Sequence, residues 1–394
     1  MLRYFTSGES HGKGLIAIIE GLPAGLFIDQ QVINSYLLKR RMGYGRGKRM
    51  SIEKDQVDIL SGVRRGYTIG SPVTLYIENK DWENWKDIMD PFINSQEKFV
   101  TMPRPGHADL AGGIKYDHHD LRNVLERASA RETAIRTAVG AIAILLLKNI
   151  SIELYSYVVS IGNVHINSDI LPPITLGDQY LKKLNKIIET DEYMLNMPDM
   201  KAAKQAAKII ELAKKKGDTL GGVFEIRITN VPAGLGSYSQ WDRKLDGRLA
   251  WALMSIQAIK GVEIGDGVVN SGKYGSLVHD EIYFSRNKGF YRKTNRAGGI
   301  EGGVTNGEEI ILRAYMKPIS TLYNPLRSVD ILTKKTVKAT VERSDICAVP
   351  AASVVGETVS AIELANAVME KFGGDTIKDL KNNYNAYIAR VKKY

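Results

Sequence analysis

The chain has 394 residues, 44% of them apolar and 25% charged, which excludes a disordered or low-complexity protein and leaves ample apolar mass for a large core. Lys and Arg outnumber Asp and Glu by 54 to 44, a net charge of +10 that favours anionic partners without choosing between a polyanion and a small acidic ligand. The single cysteine, Cys347, excludes an internal disulfide, and the N-terminal MLRYFTSGESHGKG lacks the apolar core of a secretory signal, so the cytoplasm is the expected compartment.

In chain order, residues 14–20 (GLIAIIE) read as a strand and Gln30 to Arg41 as a helix that stops at the glycine-rich turn Gly43-Tyr-Gly-Arg-Gly47. Arg40, Arg41, Arg46, Lys48 and Arg49 crowd this turn, as in a phosphate clamp or a solvated basic loop, but the spacing is neither a Walker A nor a Rossmann fingerprint. Strands are predicted near 56–60 and 72–78, followed by a charged loop in which Trp82 and Trp85 read as packing anchors. The stretch 104–148 is the densest in ionisable chemistry, with His107, Asp109, His118, His119, Arg122, Arg127, Arg131 and Arg136 preceding an apolar run from Ala138 to Leu147. Ser129-Ala-Arg-Glu132 has capping-box spacing and predicts a helix from Ser129 to about Lys148, whose exposed N–H groups beside Arg127 and Arg131 suit a phosphate or carboxylate. The apolar run is ten residues, against the roughly 20 that span a bilayer, so it reads as a buried helix. Helices follow at 175–189 and 199–216, a strand at 222–229, and a helix from about Asp242 to Lys260. The glycine-rich Gly298–Gly303, the cation and hydroxyls of Lys317-Pro-Ile-Ser-Thr321, and the pair Arg343 and Asp345 precede a closing helix from about Ala352 to Phe372.

The chain also resembles itself. Gly8-Glu-Ser-His-Gly12 matches Gly217-Asp-Thr-Leu-Gly221 and Pro23-Ala-Gly-Leu26 matches Pro232-Ala-Gly-Leu235, both at an offset of 209 residues. Two matches at one offset imply a duplicated unit. The predicted fold class is therefore α+β: a duplicated β-α-β sandwich with pseudo-twofold symmetry and helices between outer antiparallel sheets. We expect one domain over 1–394, with repeated halves at about 1–80 and 217–320 and the 104–148 helical segment between them. The first copy keeps His11 where the second has Leu220.

Two glycine-flanked histidines, loop arginines and an Asp near an Arg suit proton transfer on a small, strongly anionic substrate. No His-x-x-x-His or Cys-x-x-Cys spacing is present, which disfavours a metal centre, and a serine triad is the weaker reading. From the residues alone, a phosphate-handling enzyme and a basic nucleic-acid binder both remain open.

Six segments in order, TSGESHGKG, RRMGYGRGKRM, RPGHADLAGGIKYDHHDLRNVLERASARETA, NRAGGIEGGVTNG, KPISTL and DICAVPAASVVGE, resemble the signature segments of the chorismate synthase family over essentially the whole chain. The resemblance implies a lyase that converts 5-enolpyruvylshikimate 3-phosphate to chorismate and phosphate by 1,4-elimination, dependent on reduced FMN, with NADPH as a candidate reductant. It implies a small-molecule substrate, no nucleic acid, no membrane, and a homotetramer. Carried onto matching positions, His11 would protonate the departing phosphate, His107 would protonate or stabilise the reduced flavin, and Asp345, with Ser10, would assist proton removal at its N5. The implied FMN contacts are Arg127, Ala128, Ser129, Gln257, Ala258, Gly302, Lys317, Pro318, Ile319, Ser320, Thr321 and Arg343. Arg40 and Arg46 would hold substrate or NADPH, and Arg104 and Arg131 the substrate. Ala128 departs from the second serine frequent in the family, removing one hydroxyl.

Overall fold

Two antiparallel sheets flank a helical layer in the computed structural model, which describes residues 2–47, 53–92, 99–167, 186, 188–190 and 192–394. The first half comprises β1 (Arg3–Ser7), β2 (Gly14–Glu20), α1 (Gln30–Arg41), β3 (Asp58–Ser61) and β4 (Val73–Glu78). After α2 (Asp109–Tyr116) and α3 (Arg122–Ala128) comes the long helix α4 (Thr133–Lys148). The second half comprises β5 (Glu153–Ile161), α5 (Met200–Lys216), β6 (Gly222–Thr229), α6 (Leu245–Met254), β7 (Ile259–Ile264), β8 (Ile310–Met316) and α7 (Val349–Phe372), and α8 (Ile377–Val391) closes the chain.

The sheets run β1-β2-β4-β3 and β5-β6-β8-β7, the same order twice, with the two-residue strand Val164–His165 added at the β5 edge. This is an α+β sandwich with α4 and α7 between the sheets. Alternation sets each strand's inner face: Leu15, Ala17 and Ile19 of β2 and Val73, Leu75 and Ile77 of β4 are buried, whereas Ile18 and Glu20 point out. Helices α4 and α7 are buried along almost their whole length, as expected of apolar helices between two sheets. Glycine permits their close approach. A Cβ on Gly140 of α4 would lie 2.3 Å from the Thr358 carbonyl oxygen of α7, and one on Gly356 would lie 2.5 Å from the Phe224 ring of β6.

Several boundaries differ from the sequence reading. Ser129 does cap a helical start, accepting from the Arg131 N–H, but the first turn is a 3-10 turn over Ala130–Glu132 and the α-helix begins at Thr133. Glu132 does not close the box; it accepts from the Thr6 hydroxyl of β1 instead. The helix expected over 242–260 is a 3-10 turn at Trp241–Arg243 followed by α6, and Ala258, at φ 68°, turns the chain into β7. The closing helix starts at Val349, since Pro350 fits a first turn where its missing N–H is not needed. Helix α8 was not anticipated. The expected helix 175–189 falls largely outside the described residues, as do Lys48 and Arg49 of the basic cluster.

Candidate functional site

The loops at one end of the helical layer enclose a cavity of about 420 Å³. Its walls come from the β1–β2 turn (Ser10, His11), the end of α1 and the loop beyond it (Arg40, Arg46), and the Arg104–Ala108 loop before α2. They are completed by the α3–α4 junction (Ala128 to Arg131), the α6–β7 turn (Gln257, Ala258), the segment after β8 (Lys317 to Thr321) and the approach to α7 (Arg343 to Asp345). Small side chains of α7, Ala351 and Ala352, floor it. Both halves contribute, so residues more than 300 positions apart in sequence meet here.

Each histidine is held by a carboxylate. His11 Nδ1 lies 2.8 Å from Glu126 Oε1, and the His11 backbone N–H donates to Oε2 of the same residue at 2.7 Å. Burial alone would raise the Glu126 carboxyl, but the hydrogen bonds and charge of His11 outweigh it and hold the group below its ordinary value. The ring of His11 stacks on Trp85, centroids 3.9 Å apart. His107 Nδ1 is hydrogen-bonded to Asp109, whose two oxygens also take Nε and Nη2 of Arg104 at 2.8 and 3.1 Å. Burial opposes ionisation of Asp109 too, yet His107 and Arg104 together keep it well below the usual carboxylate range.

The cations face the cavity and are oriented from behind. Arg104 Nη1 donates to Thr321 Oγ1 at 2.7 Å, and Lys317 Nζ donates to the Gly106 carbonyl at 2.6 Å. Arg40 donates to Thr133 Oγ1 and to the Ala130 carbonyl. Its Nη1, 3.7 Å from Asp55, has no hydrogen-bond partner among the described residues. Desolvation, with Arg46 and Arg131 nearby, brings the Arg40 guanidinium down to about 10 against the pull of Asp55. Arg131 is more heavily engaged: Nε donates to Asn79 Oδ1 at 2.9 Å, Nη1 lies 2.6 Å from Asp55 and Nη2 3.5 Å from Glu53. Arg46 Nη1 pairs with Asp345 Oδ2 at 2.7 Å, and the Gly47 N–H donates to Asp345 Oδ1 at 2.6 Å. Arg343 pairs with the buried Asp81. A wall of guanidinium groups prearranged in this way can receive a multiply charged anion with little reorganisation.

Of the residues singled out from sequence, Ser10, His11, Arg40, Arg46, Arg104, His107, Ala128, Ser129, Arg131, Gln257, Ala258, Lys317, Ile319, Ser320, Thr321, Arg343 and Asp345 all line this cavity. Three do not. Arg127 folds back onto the Gly8 and Thr6 carbonyls. Gly302 occupies the turn of the Ile300–Thr305 hairpin, which is bridged to Gly236. Pro318 turns its backbone toward Gly221, where a Cβ would lie 2.8 Å from the Pro318 nitrogen. The cavity-lining Glu126 and Glu342 received no role from sequence, and Trp85, read there as a packing anchor, packs on the ring of His11. Only the four-residue spacing of Arg122 and Glu126 gave a local signal, and those side chains do lie 3.6 Å apart.

The site suits a flavin on its own geometry. Gln257 Oε1 is buried with no hydrogen-bond partner among the described residues, so it has an accepting position left for a ring N–H. Next to it the left-handed turn at Ala258 brings backbone to the cavity, and Lys317, Ser320 and Thr321 offer a cation and two hydroxyls to a phosphate.

Comparison with known proteins points the same way. The family model described as chorismate synthase matches residues 2–369. The chain is 57% identical over 395 residues to the chorismate synthase of Desulforamulus reducens and 54% identical over 403 residues to that of Geobacter sulfurreducens, covering 100% of this chain and of each relative. A solved structure titled "Crystal Structure of Chorismate Synthase" superposes with a TM-score of 0.80 at 43% identity, covering 100% of this chain and 99% of that one.

Proposed function

The chain belongs to the chorismate synthase family, lyases of aromatic amino acid biosynthesis, and we propose that it converts 5-enolpyruvylshikimate 3-phosphate to chorismate and phosphate in a cavity shared with reduced FMN. The observation that carries this reading is the convergence of both carboxylate-held histidines and the arginine wall on one cavity large enough for a small ligand.

The reaction breaks a carbon–oxygen bond to phosphate, removes one ring hydrogen and forms a carbon–carbon double bond, with no net redox change. Arg40, Arg46 and Arg104, which line the cavity, would bind the phosphate and carboxylates, and Arg40 and Arg46 could equally hold an anionic group of NADPH. His11 is the proton donor to the departing phosphate oxygen, which lowers the barrier by making a better leaving group. His107, held by Asp109, faces the cavity from the opposite loop and gives or keeps a proton at the flavin. Asp345, paired with Arg46 and accepting from the Gly47 N–H, would assist removal of the ring hydrogen. Gln257, Ala258, Lys317, Ser320, Thr321 and Arg343 would hold FMN, which when bound supplies an electron-rich ring to the elimination. The Ser10 and Ser129 hydroxyls, 3.0 Å apart, join the His11 turn to the α3–α4 junction.

The family reading also carries a homotetramer in the cytoplasm. Exposed Phe5 and Ile18, cross-strand neighbours on the outside of the first sheet, are apolar surface that such an assembly would cover. No helix among the described residues is long and apolar enough to cross a membrane. The test is an anaerobic assay of phosphate release from 5-enolpyruvylshikimate 3-phosphate with and without reduced FMN. Release that requires reduced flavin supports the proposal; equal release without flavin overturns it.

A further inference from the structure

We propose that Glu126 is the positioning residue for His11, fixing the ring tautomer with the proton on Nδ1 so that Nε2 is the nitrogen through which a proton passes to the ligand. The inference rests on the reading of His11 as the proton donor. It goes beyond that reading by assigning a carboxylate to which the family signature and the residue chemistry gave no role.

The geometry is a chelate. One carboxylate oxygen of Glu126 accepts the backbone N–H of His11 at 2.7 Å and the other faces the ring Nδ1 at 2.8 Å, while the Glu126 carbonyl accepts the Ser10 N–H at 3.0 Å. An ionised carboxylate only accepts, so Nδ1 must donate. Three bonds thus tie one residue of α3 to two successive residues of the β1–β2 turn, 115 positions away. The Glu126 side chain is 2% exposed and that of His11 12%, so little water competes for either bond. Glu126 fixes the ring within its plane and Trp85 fixes it from the face, at 3.9 Å and 23°. Arg122 completes the clamp: its guanidinium lies 5.0 Å from the Trp85 ring centroid, 3.6 Å from Glu126 and 3.2 Å from Glu342.

The arrangement at His107 differs in a way that sharpens the assignment. Asp109 there is shared with Arg104 through Nε and Nη2, so its charge is largely met before the imidazole is counted. Glu126 meets Arg122 only at 3.6 Å, and that arginine is drawn also to Glu342. More of the charge of Glu126 is therefore directed at His11.

The substitution Glu126→Gln makes a sharp test, because the backbone N–H of His11 is a fixed donor. The single amide oxygen of glutamine goes to that N–H, which leaves the amide NH2 facing Nδ1 and turns Nδ1 from donor into acceptor. The measurement is the ring 15N spectrum of the full-length protein at a pH where the imidazole is neutral, with the His11 signals identified by their loss in His11→Ala. The wild type is expected to carry its proton on Nδ1 and Glu126→Gln on Nε2. Turnover with reduced FMN should fall roughly 10²- to 10⁴-fold in kcat with KM changed less than about threefold, the range for a general acid presented in the wrong tautomer. Glu126→Asp, which keeps an ionised acceptor, should retain the Nδ1 proton and recover turnover to within about tenfold of wild type. A wild-type ring protonated on Nε2, or a tautomer unmoved in Glu126→Gln, overturns the proposal; the first needs no variant to fold. A tautomer that switches while turnover stays unchanged supports Glu126 as the positioning residue and removes His11 from the proton-donating role instead.

Discussion

Replacing Arg131 by methionine separates a structural from a ligand-gripping role for a residue that faces the cavity yet is held mostly by protein. Its side chain is 2% exposed, and its nitrogens meet Asn79 at 2.9 Å, Asp55 at 2.6 Å and Glu53 at 3.5 Å. Methionine preserves much of the volume but takes a cation away from the buried Asp55 and Glu53, and among the described residues Asp55 then keeps Arg40 at 3.7 Å. Breaking a buried pair from one side costs about 3–5 kcal/mol, chiefly the uncompensated charge left behind. The damage should also travel. Asn79, which accepts from Arg131, donates to the Glu9 and Gly12 carbonyls at 3.1 and 2.8 Å and so holds the turn that carries His11. We therefore expect Arg131→Met to lose about 3–5 kcal/mol in urea unfolding and to lose kcat as well as binding, with Arg131→Lys intermediate because an ammonium cannot fork to both acids. An unfolding free energy within about 0.5 kcal/mol of wild type, with the whole defect in KM, would refute this reasoning and make Arg131 a ligand-gripping residue.

Three further outcomes follow from the same geometry. Gly140→Ala puts a methyl 2.3 Å from the Thr358 carbonyl, a backbone atom that cannot swing aside, so α4 and α7 must part at a cost of about 1–3 kcal/mol or more, read as a lowered thermal midpoint. His11→Ala and His107→Ala should each reduce turnover by roughly 10²- to 10⁴-fold while near-UV circular dichroism stays native, and near wild-type turnover in both would remove them from the mechanism. Because Asp109 is held below the unfolded carboxylate value of about 3.9, its contribution is fully present above that pH and is lost as the pH falls toward its folded value. Acid titration of stability below about pH 4 should accordingly be shallower in Asp109→Asn than in wild type, and identical slopes would count against the pairing with His107 and Arg104.

What the sequence revealed depended on how local the signal was. The strands at 14–20 and 222–229 follow from periodicity and turn residues, and matched motifs 209 residues apart anticipated two sheets of one strand order. Other features left no mark in the chain itself. The α6–β7 turn has neither Gly nor Pro, only Ala258 forced to a positive φ by its surroundings, so a helix pattern ran through it. Glu132 had the spacing of a capping partner but was drawn to Thr6, a tertiary hydrogen bond displacing a local one. Arg343 and Asp345, two apart in sequence, face Asp81 and Arg46 rather than each other. The role of Glu126, and the identity of the ring that Trp85 anchors, leave no local signal because His11 is brought to them only by the folding of β1 and β2 against α3 and the 80–89 segment.

The central claim is that one cavity built from both halves holds the flavin and the phosphorylated acid in contact. A crystal structure of this chain with oxidised FMN and 5-enolpyruvylshikimate 3-phosphate tests it most directly. The account predicts the isoalloxazine against Gln257 and Ala258, its phosphate on Lys317 to Thr321, and the substrate phosphate within hydrogen-bonding reach of His11. A flavin bound outside these walls, or the two ligands seated in separate places, would contradict it.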